Sequence, residues 1–310
     1  MTKSTLILAN PAAKRGERAV RRIVQKLTAS YEAAGSQVVG RYTERSGARE
    51  RQIVAAHADS VQTIIVVGGD GTVRETVLGM NDAQRARIAI GFVPMGNANV
   101  LARETGLAWH DEDLAIRQAL AGTTQRMDIG AVNGTPTFLL MLDVGYFARV
   151  VHAVAATRRS RASNWLYASL GDVLYGGIGL LKLLNMRPPQ VTVTADEAPA
   201  FGTSSLAIAN ASVYAKTGSL CPNADMSDGK LDFNALRGNQ TLRYSLAAMS
   251  GKPTSSVSML GTARHFCLRA VDRPFWCQVD GDPLGAGPLQ ELTVDVMPDY
   301  YSLITAGPCS

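Results

Sequence analysis

The segment whose residue types are best suited to chemistry is a glycine-rich stretch in the first quarter of the chain. Residues 68–72 have the sequence Gly-Gly-Asp-Gly-Thr and follow a run of Ile and Val at Thr63–Val67. Glycines at such a turn let the backbone approach a phosphate, and the next helix N-terminus offers unpaired N–H groups and a positive dipole end. A carboxylate beside phosphates is expected where a divalent cation lies between them. The segment therefore predicts a phosphate-binding loop with Asp70 acting on a metal ion; a tight turn with Asp70 as a helix N-cap is the alternative.

Two groups of acidic residues in the second half of the chain could act on a metal ion or on a proton. The first runs from Asp225 to Asp232 and lacks the spacing of an EF-hand, and a type I turn is the alternative there. The second is Asp280-Gly281-Asp282, whose two carboxylates flank one glycine and can converge on a single point. Transfer of a phosphoryl group to an alcohol needs a base that orients the hydroxyl and accepts its proton. This segment is therefore a candidate for that base, with a hairpin turn as the alternative.

Composition places the chain among ordinary globular proteins. Its 310 residues suggest about two domains, and 46% hydrophobic with 18% charged residues excludes a disordered chain, a collagen and a free-standing coiled coil. Residues 1–60 hold eleven Lys or Arg and five Asp or Glu, a surplus of +6, while the whole chain carries +5. Anions are therefore expected to be attracted to the N-terminal part, although a solvated basic helix explains the surplus equally well.

Cysteine usage and hydropathy predict a cytoplasmic protein. The four cysteines are far apart and contain no Cys-x-x-Cys pair, so that neither a zinc site nor a disulfide framework is expected. Free thiols fit a reducing compartment. The apolar stretch at the N-terminus is too short for a signal peptide, and no window approaches the roughly 18–20 apolar residues of a membrane span. Peripheral association with the inner face of a membrane is compatible with this pattern.

The first 125 residues alternate between strand-like and helix-like segments. Continuous runs such as Thr63–Val67 are typical of strands buried on both faces, and Glu17–Ala34 has helical spacing that ends at Gly35. Alternation of strands and helices predicts an α/β domain with a mostly parallel sheet. The predicted strands are Thr5–Ala9, Gln37–Tyr42, Thr63–Val67 and Ile88–Val93, and the predicted helices are Glu17–Ala34, Ala48–Ala58, Thr72–Gly79, Asn97–Thr105 and Asp113–Ala121.

From about Gln125 onward, short strands separated by Gly, Pro, Asn and Asp turns predict an antiparallel, β-sandwich-like domain. A helical insert at about Val150–Leu184 interrupts it. The domains are expected at 1–125 and 126–297, with the tail 298–310 packing back on the first. The predicted strands are Arg126–Val132, Thr137–Asp143, Gln190–Ala195, Ser204–Asn210, Leu231–Leu236, His265–Ala270, Trp276–Val279 and Leu289–Val296.

The glycine-rich segment resembles the Gly-Gly-Asp-Gly-Thr-x-x-Glu signature of the diacylglycerol kinase superfamily. This group includes bacterial soluble lipid kinases, sphingosine and ceramide kinases and, more distantly, NAD kinases and 6-phosphofructokinases. Asn10-Pro11 resembles the family's Asn-Pro-x-Ser-Gly but lacks the serine, and Lys14 and Arg15 follow instead. Residues 94–99, Pro-Met-Gly-Asn-Ala-Asn, resemble Pro-x-Gly-Thr-x-Asn, with Asn97 in place of the usual threonine. The matching stretches occur in family order and cover most of the chain.

The resemblance implies an ATP-dependent lipid kinase that requires Mg²⁺, with the lipid hydroxyl presented in a cleft between the two domains. Asp282 matches the family's proton acceptor, a glutamate in Asp-Gly-Glu, and Asp280 is its partner or substitute. The segment at 228–232 resembles Asp-Gly-x-Leu-Asp, where a structural Mg²⁺ would be held by Asp228, Asp225 and the main-chain carbonyl of Lys230. The ATP contacts implied are Asn10, Pro11, Thr43, Gly68, Gly69, Asp70, Gly71, Thr72, Val73, Arg74 and Asn97.

The helical insert favours a lipid substrate at a membrane surface. It begins with Arg158, Arg159 and Arg161, continues with Trp165 and further aromatic residues, and ends in an apolar stretch. This order is typical of a membrane-interface segment, and core packing with solvated arginines is the alternative. No nucleic-acid-binding module surrounds the arginines, so no nucleic acid partner is expected. The sequence allows a homodimer.

Two other functions stay open at this point. One is an NAD kinase-like enzyme, against which the Asn-Pro start, the Pro-x-Gly-Asn-x-Asn segment and the Asp-Gly-Asp element all argue. The other is a non-catalytic lipid or nucleotide sensor of the same fold. Three departures from the family pattern support the sensor: the missing serine after Pro11, and the residues Asn97 and Asp282.

Overall fold

The computed structural model describes residues 4–43, 47–158, 189–214, 218–238, 240, 243 and 256–306. The chain divides into two compact units, Met1–Ile129 with Pro298–Ser310, and Gly130–Met297. The part of the predicted insert that follows Arg158, with Arg159, Arg161 and Trp165, lies outside the described residues. Within the described ranges, no helix is long and apolar enough to cross a membrane.

The first unit is an α/β layer around a parallel sheet. Strands β1 to β4 lie in the order β2-β1-β3-β4, all parallel, and the last part of a long strand, β16, pairs with β4 in the same direction. The strands are β1 (Ser4–Ala9), β2 (Gln37–Tyr42), β3 (Thr63–Gly68), β4 (Ala89–Pro94) and β5 (Thr123–Val132), the last of which continues into the second unit. The helices are α1 (Glu17–Ala33), α2 (Gly47–His57), α3 (Asp70–Leu78), α4 (Asp82–Arg87), α5 (Val100–Glu104) and α6 (Glu112–Ala121), with a 3₁₀ turn at Ala58–Ser60.

The second unit is a sandwich of two antiparallel sheets. One sheet has the order β12-β11-β10-β7-β14-β15, and in the other β13 lies between β8 and β16, with β9 beside β8. Its core joins both sheets, for example where the rings of Phe233 and Phe266 meet edge to face at 5.7 Å. The elements are β6 (Thr135–Phe138), β7 (Met141–Val144), α7 (Tyr146–Arg158), β8 (Val191–Ala195), β9 (Phe201–Thr203), β10 (Leu206–Ala209), β11 (Leu231–Leu236), β12 (Ser258–Ala263), β13 (His265–Ala270), β14 (Cys277–Val279), β15 (Asp282–Pro283) and β16 (Glu291–Thr305).

The predicted fold class, an α/β domain followed by an antiparallel β domain, is confirmed. Two predicted elements need correction. The single strand expected at Thr137–Asp143 is two strands, because the chain bends at Leu139 and Leu140, whose N–H groups donate to the carboxylate of Asp280. The helix expected from Asn97 begins only at Val100.

Other differences concern elements that the pattern did not predict. Helix α4 begins with a capping box in which Asn81 and Gln84 exchange side-chain and backbone hydrogen bonds. Strands β9 and β12 were not expected, and β16 continues to Thr305, past the predicted end at Val296. The longer strand places Ser302 and Leu303 beside Ala89 and Ile90 of β4.

Candidate functional site

The loops that follow β1, β2, β3 and β4 meet at one edge of the parallel sheet. Ala9, the last residue of β1, is in register with Tyr42 of β2 and Val67 of β3, and Gly68 is in register with Pro94. All four strands therefore end at the same level. Ligands of open α/β sheets bind outside the carboxyl ends of the strands, where neighbouring connections leave in opposite directions. In this sheet that point lies between β1 and β3.

Gly69 and Gly96 bring two of these loops into backbone contact. A β carbon built on Gly96 would lie 2.8 Å from the Cα of Gly69, and one on Gly69 would lie 3.3 Å from the Cα of Gly96. The N–H of Met95 donates to the carbonyl of Gly68 at 2.6 Å, which holds the loops together one residue earlier. Since neither glycine has room for a side chain, the loops after β3 and β4 form one surface of main-chain atoms.

Asn10 and Thr72 join the loop after β1 to the start of helix α3. The side-chain Nδ2 of Asn10 donates to Oγ1 of Thr72 at 3.5 Å, and its Oδ1 accepts the N–H of Ala12 at 2.9 Å. A β carbon on Gly68 would lie 2.8 Å from Oγ1 of Thr72. The structure thus brings together Asn10, Gly68 and Thr72, all predicted as nucleotide contacts, at the point between β1 and β3.

Lys14 and Asn97 connect the loop after β1 to the loop after β4. The ammonium group of Lys14 donates to Oδ1 of Asn97 at 2.5 Å, and both residues are exposed. Arg15 is engaged elsewhere, because it donates to the carbonyl of Trp109 at 2.5 Å and pairs with Glu112 at 3.6 Å. Lys14 is therefore the better placed of the two basic residues to bring a positive charge to the loops.

Asp70 is the first residue of α3, yet its carboxylate serves another helix. Its two oxygens accept the N–H groups of Val100 and Leu101, each at 3.0 Å, at the beginning of α5. These bonds satisfy two donors that a helix N-terminus leaves without a partner, and they explain why α5 begins at Val100. The carboxylate of Asp70 is thereby fixed beside the loop after β4, within the same group of loops.

The remaining predicted contacts lie around α2 and α3. Thr43 is buried at the end of β2, and its N–H donates to the carbonyl of Ala9 at 2.8 Å. Nearby Glu50 is also buried, and burial raises the pKa of its carboxyl group above the ordinary value. Glu75 accepts from Arg51 at 2.5 Å and from Arg74 at 3.4 Å, so Arg74 takes part in an ion-pair network at this face of α3.

In the second unit, Asp280 and Asp282 have different environments. Asp280 has a left-handed backbone with φ of 49°, and its carboxylate accepts the N–H groups of Leu139, Leu140 and Met141 at 2.9–3.1 Å. Asp282 is exposed and pairs through its backbone with Val279 in the short hairpin β14–β15. The carboxylate of Asp280 therefore holds the β6–β7 bend, whereas Asp282 is an exposed residue of the hairpin.

The predicted metal segment consists of short polar turns. Asp225 accepts from the N–H and the hydroxyl of Ser227 at 2.9 and 2.8 Å, and Asp228 accepts the N–H of Lys230 at 2.9 Å. Burial, followed by the charges of Asp228 and Asp225, raises the pKa of Asp232 to about 6. Oxygen donors of this type suit Mg²⁺, but among the described residues no group of three or more His, Cys, Asp or Glu side chains is arranged to hold a metal ion.

Sequence reasoning missed two buried polar residues, one in each unit. Asn99 is buried in a left-handed conformation with φ of 49°, between the glycine contact and α5. Asp143 is fully buried in β7. A carboxylate within the apolar run Leu-Met-Leu-Asp-Val was a signal for an unusual buried acid, but nothing in the pattern showed what it contacts.

Comparison with known proteins gives consistent results for both parts of the chain. A family model described as the diacylglycerol kinase catalytic domain matches residues 4–132, and one described as the YegS C-terminal NAD kinase beta sandwich-like domain matches residues 146–305. A probable lipid kinase YegS-like of Citrobacter koseri is 26% identical over 267 residues, which cover 86% of this chain and 85% of that protein. The probable lipid kinase YegS of Salmonella arizonae is 26% identical over 266 residues, covering 85% of each.

Solved structures agree with this assignment at the level of the fold. A diacylglycerol kinase structure from Bacillus anthracis strain Sterne superimposes with a TM-score of 0.72 at 17% identity, over 98% of this chain and 97% of that one. The two family models together span nearly all of the chain, in the order expected for an α/β domain followed by a β sandwich. The chain therefore belongs to the diacylglycerol kinase superfamily and is a lipid kinase.

Proposed function

We propose that this enzyme transfers the γ-phosphate of ATP to a hydroxyl group of a membrane lipid in a reaction that requires Mg²⁺. The observation that carries the proposal is the contact between Gly69 and Gly96, which joins the loops after β3 and β4 into one main-chain surface. Such a surface at the carboxyl edge of a parallel sheet suits a polyphosphate, because N–H groups can approach its oxygens without interference from side chains.

The nucleotide contacts proposed are those that the loops bring together. Gly68 to Thr72 would receive the phosphates at the N-terminus of α3, with Val73 and Arg74 in its first turns. Asn10, Pro11, Thr43 and Asn97 would surround the nucleotide from the neighbouring strand ends. Lys14, which already contacts Asn97, adds a positive charge that can attract the phosphates.

Asp282 is the proposed proton acceptor. As the lipid oxygen forms a bond to the γ-phosphorus, the bond from that phosphorus to the β–γ bridging oxygen breaks, ADP leaves, and the hydroxyl proton passes to the Asp282 carboxylate. Asp280 is less suited to this role, because its oxygens already accept three backbone N–H groups. Its task in the proposal is to hold the hairpin that carries Asp282.

Magnesium would have two separate roles, one structural and one beside the nucleotide. A structural ion would be held by Asp225, Asp228 and the main-chain carbonyl of Lys230. The negative charges of Asp225 and Asp228 contribute to the raised pKa of Asp232, and such a concentration of negative charge suits a cation. Asp70 would act near the metal that accompanies the nucleotide. Bound magnesium neutralises charge on the transferring phosphate, which is the chemistry that phosphoryl transfer needs from it.

The lipid would be reached at the inner surface of a membrane by a protein that is otherwise cytoplasmic. The experiment that tests the whole proposal is transfer of radiolabelled γ-phosphate to a panel of lipids with primary hydroxyl groups, presented in mixed micelles with ATP and Mg²⁺. We expect one labelled phospholipid, strongly reduced product with Asp282→Asn, and no product without Mg²⁺. Formation of NADP from NAD instead would favour an NAD kinase-like enzyme. Nucleotide binding without transfer to any lipid would contradict the proposed reaction.

A further inference from the structure

Asp143 is a buried carboxylate that the proposed chemistry does not use. It lies in β7 and is fully buried, in register with Gln278 of β14 on one side and with Ala207 of β10 on the other. By strand alternation it shares a face with Met141, and that face is covered by an apolar cluster that includes Leu220. A carboxylate in such surroundings is costly and calls for an explanation.

Gln278 connects Asp143 to the Asp-Gly-Asp hairpin. Its Nε2 donates a short hydrogen bond to Oδ2 of Asp143, and its Oε1 accepts the N–H of Gly281 at 2.7 Å. Gln278 is itself only 3% exposed. Because Asp143 offers an acceptor, the amide group of Gln278 must turn its nitrogen toward Asp143 and its oxygen toward Gly281. The buried carboxylate thereby sets the orientation of the amide.

Gly281 lies between the two acidic residues of the hairpin. Asp280 holds one side of it through the N–H groups of Leu139 to Met141, and Gln278 holds the central N–H. We propose that Asp143 and Gln278 form a positioning pair that fixes the backbone at Gly281 and so places the Asp282 carboxylate to accept the lipid proton. The inference rests on the proposed function, since it takes Asp282 as that acceptor.

The pair is expected to respond to pH. Burial raises the pKa of Asp143 to about 7, and the hydrogen bond from Gln278 opposes this rise only in part. Its second oxygen, Oδ1, is buried and has no hydrogen-bond partner within the described part of the chain. Ionisation therefore leaves a charged oxygen without a donor, so water must enter or the carboxylate must turn, and either change disturbs Gln278. The protonated form is the one that positions the hairpin.

Among the described residues, two thiols lie close enough to Asp143 to interact with its charge. The thiols of Cys277 on β14 and Cys221 both have pKa values raised well above the ordinary value by burial, so both stay neutral near pH 7. His152 of α7 points Nε2 to the carbonyl of Cys277 at 2.7 Å. The charge of Asp232 on β11, like that of Asp143, raises the pKa of Cys221.

The test compares kcat of Asp143→Asn with that of the wild type between about pH 6 and about pH 8. Asparagine keeps an acceptor for Gln278 but does not ionise, so the ratio of variant to wild-type kcat should rise by about tenfold across this range for a pKa near 7. The Michaelis constant for ATP should stay unchanged. Using the ratio removes every other pH dependence of the reaction that both proteins share. A ratio that stays constant with pH would overturn the inference.

A control variant, a double variant and a carboxyl titration test the positioning pair further. Asp196→Asn is the matched control. Asp196 also holds a turn in the second unit, because its carboxylate accepts the N–H groups of Arg264 and His265. The ratio of its kcat to that of the wild type should not change with pH. Gln278→Ala should lower kcat, and in its background Asp143→Asn should leave the pH dependence of kcat unchanged. A ¹³C carboxyl titration of Asp143 should show a midpoint near 7 that is absent in Asp143→Asn.

Failure of this inference and failure of the proposed function are distinguishable. Full activity of Asp282→Asn would remove the proposed acceptor itself. Loss of activity in Asp282→Asn, together with a flat ratio for Asp143→Asn and normal kcat for Gln278→Ala, would overturn only the positioning pair. If Asp143→Asn still changed the pH dependence of kcat in the Gln278→Ala background, the two residues would be shown to act separately.

Discussion

Gly96 lies so close to Gly69 that a β carbon on Gly96 would come within 2.8 Å of the Cα of Gly69 and of Oδ1 of Asn99. The Gly69 contact is with backbone, which cannot rotate away. We therefore expect Gly96→Ala to separate the loops after β3 and β4 and to weaken ATP binding at least about tenfold, or roughly 1.4 kcal/mol. Calorimetric titration with ATP and Mg²⁺ measures this.

Gly40→Ala is the control for the Gly96 variant. Gly40 is in β2 of the same unit, and a β carbon there would meet no atom within 4 Å. Its ATP affinity should equal that of the wild type. Unchanged affinity of Gly96→Ala would show that the close approach of the two loops is not needed for the nucleotide.

Gly71 offers a different test, because the protein leaves open space beside it. A β carbon on Gly71 would have no protein atom within 4 Å, and the residue lies in the first turn of α3. Gly71→Ala should therefore keep or slightly raise the melting temperature, since alanine lowers the entropy of the unfolded chain. ATP affinity should nevertheless fall, because the added methyl would lie where the phosphates approach. Equal affinity would place the phosphates away from this turn.

Asp280→Asn and Asp282→Asn should fail in different ways. The side-chain amide of Asp280→Asn can offer only one oxygen to the three N–H groups that the aspartate accepts, so we expect a loss of about 1–3 kcal/mol in the free energy of unfolding. Asp282→Asn should keep wild-type stability and lose about 10²–10⁴-fold in kcat. Urea unfolding and γ-phosphate transfer measure the two effects.

Asp196→Asn separates the loss of a turn contact from the loss of function. Asp196 has the same left-handed φ of 49° as Asp280 and also accepts backbone N–H groups, but at the β13 turn. It should lose some stability and no activity at temperatures where it is folded. If Asp282→Asn proved as active as Asp196→Asn, another residue would have to accept the proton.

Magnesium should stabilise the protein through the segment at 225–230. At a hundredfold excess over its dissociation constant, a bound ion adds about 2.7 kcal/mol, which is a clear rise in melting temperature. Asp228→Asn should abolish this rise. Asp272→Asn, which alters an exposed carboxylate that accepts from Gln190 at 2.9 Å, should retain it. An equal rise in Asp228→Asn would exclude this segment as the site.

The sequence predicted most strands of the fold because their apolar runs are local signals. Gln37–Tyr42, Leu231–Leu236 and His265–Ala270 have the bounds that were predicted. The break at Leu139 and Leu140 could not be predicted, since it depends on a carboxylate about 140 residues further along the chain. The late start of α5 has a similar cause in Asp70. Helix α4 was predictable, because Asn81 and Gln84 have the spacing of a capping box.

The candidate site divides in the same way. Spacing predicted the Gly-Gly-Asp-Gly-Thr turn and its place between a buried strand and a helix, because both neighbours have local patterns. The contact between Gly69 and Gly96 and the hydrogen bond from Gln278 to Asp143 depend on register between strands. The family resemblance favoured Asp282 over Asp280 as the proton acceptor, but the sequence did not show the hydrogen bonds and the exposure that distinguish the two residues.

The buried Asp143 should make stability depend on pH in a defined direction. Its pKa is about 7 in the folded protein and 3.8 as the ordinary value, so the folded state holds a proton that the unfolded state releases between these values. The free energy of unfolding should therefore fall as pH rises from about 4 to about 7, by roughly 4 kcal/mol for a shift of about three pH units, and stay level above that range. Asp143→Asn should lack this decline, so the difference between variant and wild type grows with pH. Asp196→Asn should follow the wild-type curve in parallel. Urea unfolding at a series of pH values measures all three, and parallel curves for wild type and Asp143→Asn would mean that Asp143 is ionised in the fold.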